Sequence, residues 1–253
     1  MGEVCKMTYT VNTGLLIQCG KTKILLDSIF GAGGHRFSSP SQTLWQQIKQ
    51  GEGIFSQVQY LLFSHDHADH FSAEMTLEYL QMQKVKGIFL PEDAGGKWFL
   101  DAIVQRNVPC LQFPRCHPQY RTYLLSQDVR LKAYAMRHQG EAYRDVAHMC
   151  FLLTMQGEKF LFTADVDFVH EDFSLFSNMN FTAVFVNPLF FHSKEGQCIL
   201  REQLRTKEVV VYHLPFEADD LLHMRRMAQR DALQWKDTAI RLLLEPMQTW
   251  IWE

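Results

Sequence analysis

The sequence offers no apolar run near the roughly 18 residues that a membrane span requires, so no transmembrane helix is expected. Its six cysteines, Cys5, Cys19, Cys110, Cys116, Cys150 and Cys198, are scattered, with no C-x-x-C pair and no short-spaced framework. That excludes a disulfide-stapled fold, and the thiols read as reduced. Basic residues do not accumulate either: 25 Lys plus Arg against 28 Asp plus Glu leave a formal charge of -3, with no stretch able to track a phosphate backbone. A dedicated nucleic-acid binder is thereby disfavoured. No Pro/Ser-rich linker, low-complexity tract or internal period of about 20 to 50 residues divides the chain, and one domain spanning 1–253 is expected. The amino-terminal residues lack a charged segment followed by an apolar one, and Lys6 stands where a myristoylation signal wants Ser or Thr, so a cytoplasmic protein is expected.

What is present is an ordinary globular composition, 47% apolar, 21% charged and 13% aromatic. A chain this long buries roughly three quarters of the surface its unfolded form exposes, enough core to dispense with a structural metal. Any metal is therefore expected to be catalytic. Short runs rich in β-branched or aromatic residues predict strands at 15–19, 23–26, 58–63, 87–90, 122–125, 129–136, 149–155, 159–162, 181–186 and 209–212. Cys19-Gly20-Lys21 and Gln156-Gly157-Glu158 are turn signals that suit hairpins. Helical spacing predicts helices over 41–49, 72–83 behind a Ser N-cap, 96–106 and 217–229. At the end of the chain, 240–244, a turn at Glu245-Pro246 and 248–252 read as a closing hairpin. The fold class is α/β with antiparallel hairpins.

The informative segment runs from Tyr60 to Phe71, a strand leading into His65-Asp66-His67-Ala68-Asp69-His70 and then a helix. Three imidazoles and two carboxylates fall within six residues, too dense a set for a solvated loop. Alternation puts His65 and His67 on one side of an extended loop, able to grip one ion, while Asp69 and His70 turn toward a second position. Imidazole and carboxylate suit zinc, manganese or iron.

The H-x-H-x-D-H pattern resembles that of the metallo-β-lactamase fold hydrolases, and further landmarks follow in order. The strand from Val129 ends in His138, the strand from Phe160 runs into Thr163-Ala164-Asp165-Val166 like that family's G-D-T, and the strand from Glu208 ends in His213. Gly14 to Asp27 resembles the opening hairpin and the Trp250 end the closing one. Ala164 and Val166 stand where the family usually has Gly and Thr, a departure expected to alter the turn around Asp165.

The resemblance implies a four-layer αβ/βα sandwich of the metallo-β-lactamase type with a binuclear metal centre. By it, His65, His67 and His138 hold a first divalent ion, and Asp69, His70 and His213 a second. Asp165 bridges the two, and Asp69 also orients the shared water or collects its proton. Two such ions, zinc first and manganese or iron as alternatives, lower the pKa of a shared water from about 15.7 toward about 7. The implied activity is hydrolysis of a small-molecule ester, lactone or phosphodiester, with the compact lactonase and phosphodiesterase-like branch the nearest in shape. No extended basic arm marks the tRNA-processing branch, and the His-Thr-x-Gly-His tract of glyoxalase II-type thioesterases is absent around His138.

Other residues compete for roles. His148 rivals His138 as third ligand, and Asp66 is expected to brace an imidazole rather than bind metal. His35 belongs to a glycine-rich loop where relatives place substrate contacts, and His192 stands at a possible mouth of the site. His117, His170 and His223 carry no motif. A diiron redox protein of the same fold is the first alternative, although Glu is expected there where this chain has His67. A non-catalytic metal-binding sensor module is the second, and it would be expected to lose ligands that are all present here.

Overall fold

The computed structural model describes residues 4–114 and 120–252, and Cys116 and His117 lie outside them. The chain divides into two compact units, one formed by residues up to 115 together with 245–253 and the other by residues 116–244.

The first unit is built on a seven-stranded sheet of order β14-β1-β2-β3-β4-β5-β6. Here β1 is Cys5–Tyr9, β2 Leu15–Cys19, β3 Thr22–Leu26, β4 Tyr60–Leu62, β5 Gly87–Pro91, β6 Cys110–Phe113 and β14 Thr249–Trp252. β14, β1, β2 and β3 pair antiparallel, and β3 to β6 run parallel. Helices α1 (Gln42–Gln50), α2 (Ala73–Met82) and α3 (Gly96–Gln105) supply the crossovers that parallel neighbours need. Ser41 and Ser72 cap α1 and α2 by accepting the backbone N–H groups of Leu44 and Met75. Leu44, Ile48, Tyr79, Phe99 and Ile103 from these helices pack with Leu16, Leu25, Leu61, Ile88 and Leu90 of the sheet in one core. Alternate strand residues such as Ile17, Ile24 and Leu62 are buried as well, which is why these strands read as unbroken apolar runs.

The second unit repeats the plan with sheet order β13-β12-β11-β10-β9-β8-β7. Its strands are β7 (Tyr120–Ser126), β8 (Val129–Ala135), β9 (Met149–Met155), β10 (Glu158–Phe162), β11 (Asn180–Val186), β12 (Arg205–Val211) and β13 (Ala239–Leu242). β7 to β10 form an antiparallel meander, and β10 to β13 run parallel. Helices α4 (Pro188–His192), α5 (Lys194–Cys198) and α6 (Met224–Ala232) complete the unit. Phe173, Phe176, Phe190 and Phe191 join Val184, Val209 and Val211 in its core. No helix among the described residues is long and apolar enough to cross a membrane.

Two expectations need correction, and two strands form that were not expected. The closing hairpin does not form: β13 pairs parallel with β12, whereas β14 pairs antiparallel with β1. The turn at Glu245-Pro246 thus carries the chain from one sheet to the other. The helix expected over 217–229 is broken, because His223 takes a left-handed φ of 55° and α6 starts only after it. β1 and β6 were not expected, since Cys-Lys-Met-Thr-Tyr and Cys-Leu-Gln-Phe show no continuous apolar run, and each forms by pairing with an already apolar neighbour.

Candidate metal centre

All of the candidate ligands follow the carboxyl ends of strands. His65 to His70 come after β4, His138 after β8, Asp165 after β10 and His213 after β12. Open α/β sheets gather their binding groups at that end because the strand ladder stops there and the loops turn.

In the first unit the His-rich loop is drawn tight by its own backbone, His70 and Phe71 both donating their N–H to the carbonyl of His67. The His65 and His67 rings lie 4.7 Å apart, and those of His65 and His70 3.9 Å apart. His65 and His70 are fully buried, Asp69 nearly so, and His67 is half-buried. A ring nitrogen of His65 comes within 4.8 Å of one from His67 and of one from His70, and His70 and an Asp69 oxygen approach as closely.

The orientation of these rings is set by residues that sequence reasoning passed over. Asp27, at the end of β3 and buried, accepts the Ser64 backbone N–H at 2.7 Å and the Ser64 hydroxyl at 2.6 Å, and its Oδ2 lies 3.1 Å from His70 Nδ1. Ser64 Oγ, its proton committed to Asp27, stands 3.0 Å from His65 Nδ1 and so accepts from it. Thr13 Oγ1 lies 3.0 Å from His70 Nδ1. Asn12 donates its amide to the backbone oxygen of Asp69 at 2.9 Å and to Asp69 Oδ2 at 3.0 Å. In both imidazoles Nδ1 therefore carries the proton and Nε2 the lone pair. The brace expected from Asp66 comes instead from Asp27, and Asp66 is exposed on a groove of about 530 Å³ shared with Gly31, Ala68, Glu74 and Trp98.

In the second unit, Asp165 Oδ2 stands 3.4 Å from His213 Nε2 and 3.9 Å from His138 Nε2. His138 Nδ1 lies 2.7 Å from the Gln139 carbonyl, which only accepts, so this ring too carries its proton on Nδ1. His138 and His213 are buried and Asp165 is half-buried. His213 has a left-handed φ of 58°, and Ala164, at the position the family usually gives to glycine, has φ 45°.

The competing histidines are engaged elsewhere. His148 lies with Nδ1 3.2 Å from the Met136 carbonyl and accepts the Asp165 backbone N–H at Nε2. His35 organises its own loop, with Nε2 2.6 Å from the Gly31 carbonyl and Nδ1 accepting the Phe37 N–H. His192 is exposed and pairs with buried Asp231 at 2.6 Å, and His170 pairs with Asp167 at 2.8 Å. A cavity of about 560 Å³ in the second unit is lined by Asn180, Thr182, Arg205 and Lys207 at the amino ends of β11 and β12. It lies at the amino ends of β10, β11 and β12, whereas Asp165 and His213 follow the carboxyl ends of β10 and β12.

No family model matches the chain, and no curated protein matches it. Solved structures do. Igni18, described as a metallo hydrolase from the archaeon Ignicoccus hospitalis, superposes with a TM-score of 0.65 at 13% identity, covering 99% of each chain. YhfI of Bacillus subtilis, described as a metallo-β-lactamase fold protein, gives 0.63 at 15% identity over 98% of this chain and 100% of its own. CmlA of Streptomyces venezuelae, described as a diiron β-hydroxylase, gives 0.61 at 14% identity over 99% of this chain but 54% of its own. The likeness is one of fold: the chain adopts the α/β sandwich of the metallo-β-lactamase type that its motif implies. Its His and Asp clusters have the donor chemistry that divalent metal ions take.

Proposed function

We propose that this chain is a metal-dependent hydrolase that uses two divalent ions to activate water against a small-molecule ester, lactone or phosphodiester. His65, His67 and His138 would hold one ion and Asp69, His70 and His213 the other, with the Asp165 carboxylate available to both. Zinc suits this mixture of imidazole and carboxylate, and manganese or iron fit the same donors.

The observation that carries this reading is a shared tautomer. His65, His70 and His138 each direct Nδ1 at a fixed acceptor, Ser64 Oγ, Asp27 Oδ2 and the Gln139 carbonyl respectively. Metal-ligating histidines are oriented in this way, because a hydrogen bond at one ring nitrogen makes the other the lone-pair donor.

The ions, when bound, supply a water of lowered pKa and Lewis-acid polarisation of the scissile group. The chain's own residues do the rest. Asp69, steadied by the Asn12 amide, orients the attacking water and takes up its proton. Asp27 keeps His70 in register, and the turn around Ala164 sets the direction of the Asp165 carboxylate. The groove beside the His-rich loop gives room for the body of the substrate. The protein works as a single domain in the cytoplasm on a small molecule, with neither nucleic acid nor membrane as partner.

The test is a panel of esters, lactones and phosphodiesters assayed with zinc-, manganese- and iron-loaded protein, with and without a chelator. Turnover of one class that disappears on chelation is expected. Full turnover in chelator, or none across the panel at full metal load, contradicts the reading. The likeness to CmlA supports a diiron alternative, which dioxygen uptake by the reduced, iron-loaded protein would favour.

A further inference from the structure

Five hydrogen bonds converge on Ala164 and Asp165. The Ala164 N–H donates to the Tyr212 hydroxyl at 2.6 Å, and the Asn187 amide donates to the Ala164 carbonyl and to Asp165 Oδ1, each at 3.2 Å. The Asp165 N–H donates to His148 Nε2 at 3.1 Å, and the Asp165 carbonyl accepts the Gln139 N–H at 2.7 Å. Such a concentration on two residues calls for a reason, and the backbone supplies one. Ala164 sits at φ 45°, a left-handed conformation that glycine adopts readily and alanine resists. An L-residue stays there only when its surroundings over-determine it.

We propose that His148 and Tyr212 are positioning residues that hold the Ala164-Asp165 turn and thereby aim the Asp165 carboxylate, a role that rests on the reading of Asp165 as a metal ligand. His148 is placed for this by the topology. β9 runs antiparallel between β8 and β10, so its amino end lies beside the carboxyl ends of both neighbours. His148, immediately before β9, is buried there. Its backbone carbonyl accepts the Met136 N–H at 3.1 Å, and its Nδ1 lies 3.2 Å from the Met136 carbonyl. A carbonyl only accepts, so Nδ1 carries the ring proton and Nε2 is the acceptor for the Asp165 N–H. One imidazole thus ties the exit of β8, two residues before His138, to the exit of β10 at Asp165. Tyr212 completes the hold from β12, immediately before His213. Three strand ends that carry three candidate ligands are joined through two side chains.

The sequence alone makes His148 a rival ligand. In the structure its two ring nitrogens face a carbonyl and an amide, which is the geometry of a strut.

Three variants test the proposal. His148→Phe keeps a buried ring and removes both hydrogen bonds. His148→Gln keeps an amide donor for Met136 and a carbonyl acceptor for Asp165. Tyr212→Phe removes only the hydroxyl, and serves if His148→Phe does not fold. Two readouts are taken: amide hydrogen exchange at Ala164 and Asp165 in the metal-free protein, and zinc affinity by competition with a chromophoric chelator. The proposal expects His148→Phe and Tyr212→Phe to lose Asp165 or Ala164 amide protection and to weaken zinc binding by about 10- to 100-fold. His148→Gln is expected to stay within a few-fold of wild type in both. Wild-type zinc affinity and unchanged exchange in both phenylalanine variants would overturn it, as would an equal loss in folded His148→Gln, which would make the effect one of packing. A wild-type chain that binds no zinc would instead overturn the metal reading, and the exchange measurement would still decide whether the two side chains hold the turn.

Discussion

Asp27 Oδ2 lies 3.1 Å from His70 Nδ1, and both side chains are shut away from solvent. The pair joins the end of β3 to a loop more than forty residues further along, and it is possible because β3 and β4 run parallel in register, with Leu26 opposite Leu62. A carboxylate against the far nitrogen of an imidazole raises the basicity of the near one and fixes the ring.

Asp27→Asn should therefore act on metal binding before it acts on the fold. The amide keeps the shape, but its nitrogen sets a donor against a donor at His70 Nδ1 or Ser64. Zinc affinity is expected to fall by roughly 10- to 100-fold while the metal-free melt drops only modestly. Unchanged affinity in a chelator competition would show that His70 needs no such support.

The densest part of the candidate site was legible because it is contiguous: His65, His67, Asp69 and His70 stand within one loop, and each later candidate closes an apolar run. The supports were not legible, since Asn12 meets Asp69, and Asp27 meets His70, only through sheet register. Nor does the run pattern say what a buried imidazole faces, and the carbonyl and the amide that meet the His148 ring come together only in the fold. The fold followed the same division. The strand runs and the turns at Gly20 and Gly157 were readable locally. The parting of β13 from β14 was not, because two apolar segments flanking a Pro turn look alike whether they pair with each other or with different sheets.

Ala164→Gly is expected to stabilise the protein. Removing the Cβ at φ 45° relieves left-handed strain, and the gain exceeds the entropy of the unfolded glycine, for a net of roughly 0.5–1 kcal/mol. Urea unfolding measures it directly. A destabilised variant would mean that the alanine methyl packs usefully in its buried setting.

Tyr79 is fully buried on α2, and its hydroxyl meets no hydrogen-bonding atom among the described residues. Burial drives its pKa upward. Tyr79→Phe should be neutral or more stable by up to about 1 kcal/mol, since a buried hydroxyl is desolvated without return. Tyr79→Ala, which opens a cavity, should cost about 3–5 kcal/mol. A clear loss in the phenylalanine variant would reveal a partner for the hydroxyl.

Glu171 offers a pH test of the second unit. Burial pushes its carboxyl above the usual range; the Arg137 backbone N–H, which it accepts at 2.6 Å, pulls the other way, and Asp167 adds to the rise. A carboxyl that holds its proton more tightly when folded works against the fold once ionised, and that penalty vanishes as pH falls below the unfolded value. Glu171→Gln keeps an acceptor for Arg137 without the charge. It should melt higher than wild type near pH 7, with the advantage shrinking toward about pH 4. An advantage that grows on acidification would contradict the assigned direction.

Counting metal per chain in wild type and His213→Ala decides whether the proposed ligands hold a pair of ions. Elemental analysis after zinc reconstitution and desalting should find about two ions in the wild type. In the variant it should find about one, held by His65, His67 and His138, with the fold intact because β12 is anchored by buried Val209, Val210 and Val211. No bound metal in the reconstituted wild type, or two tight ions in the variant, would contradict the account.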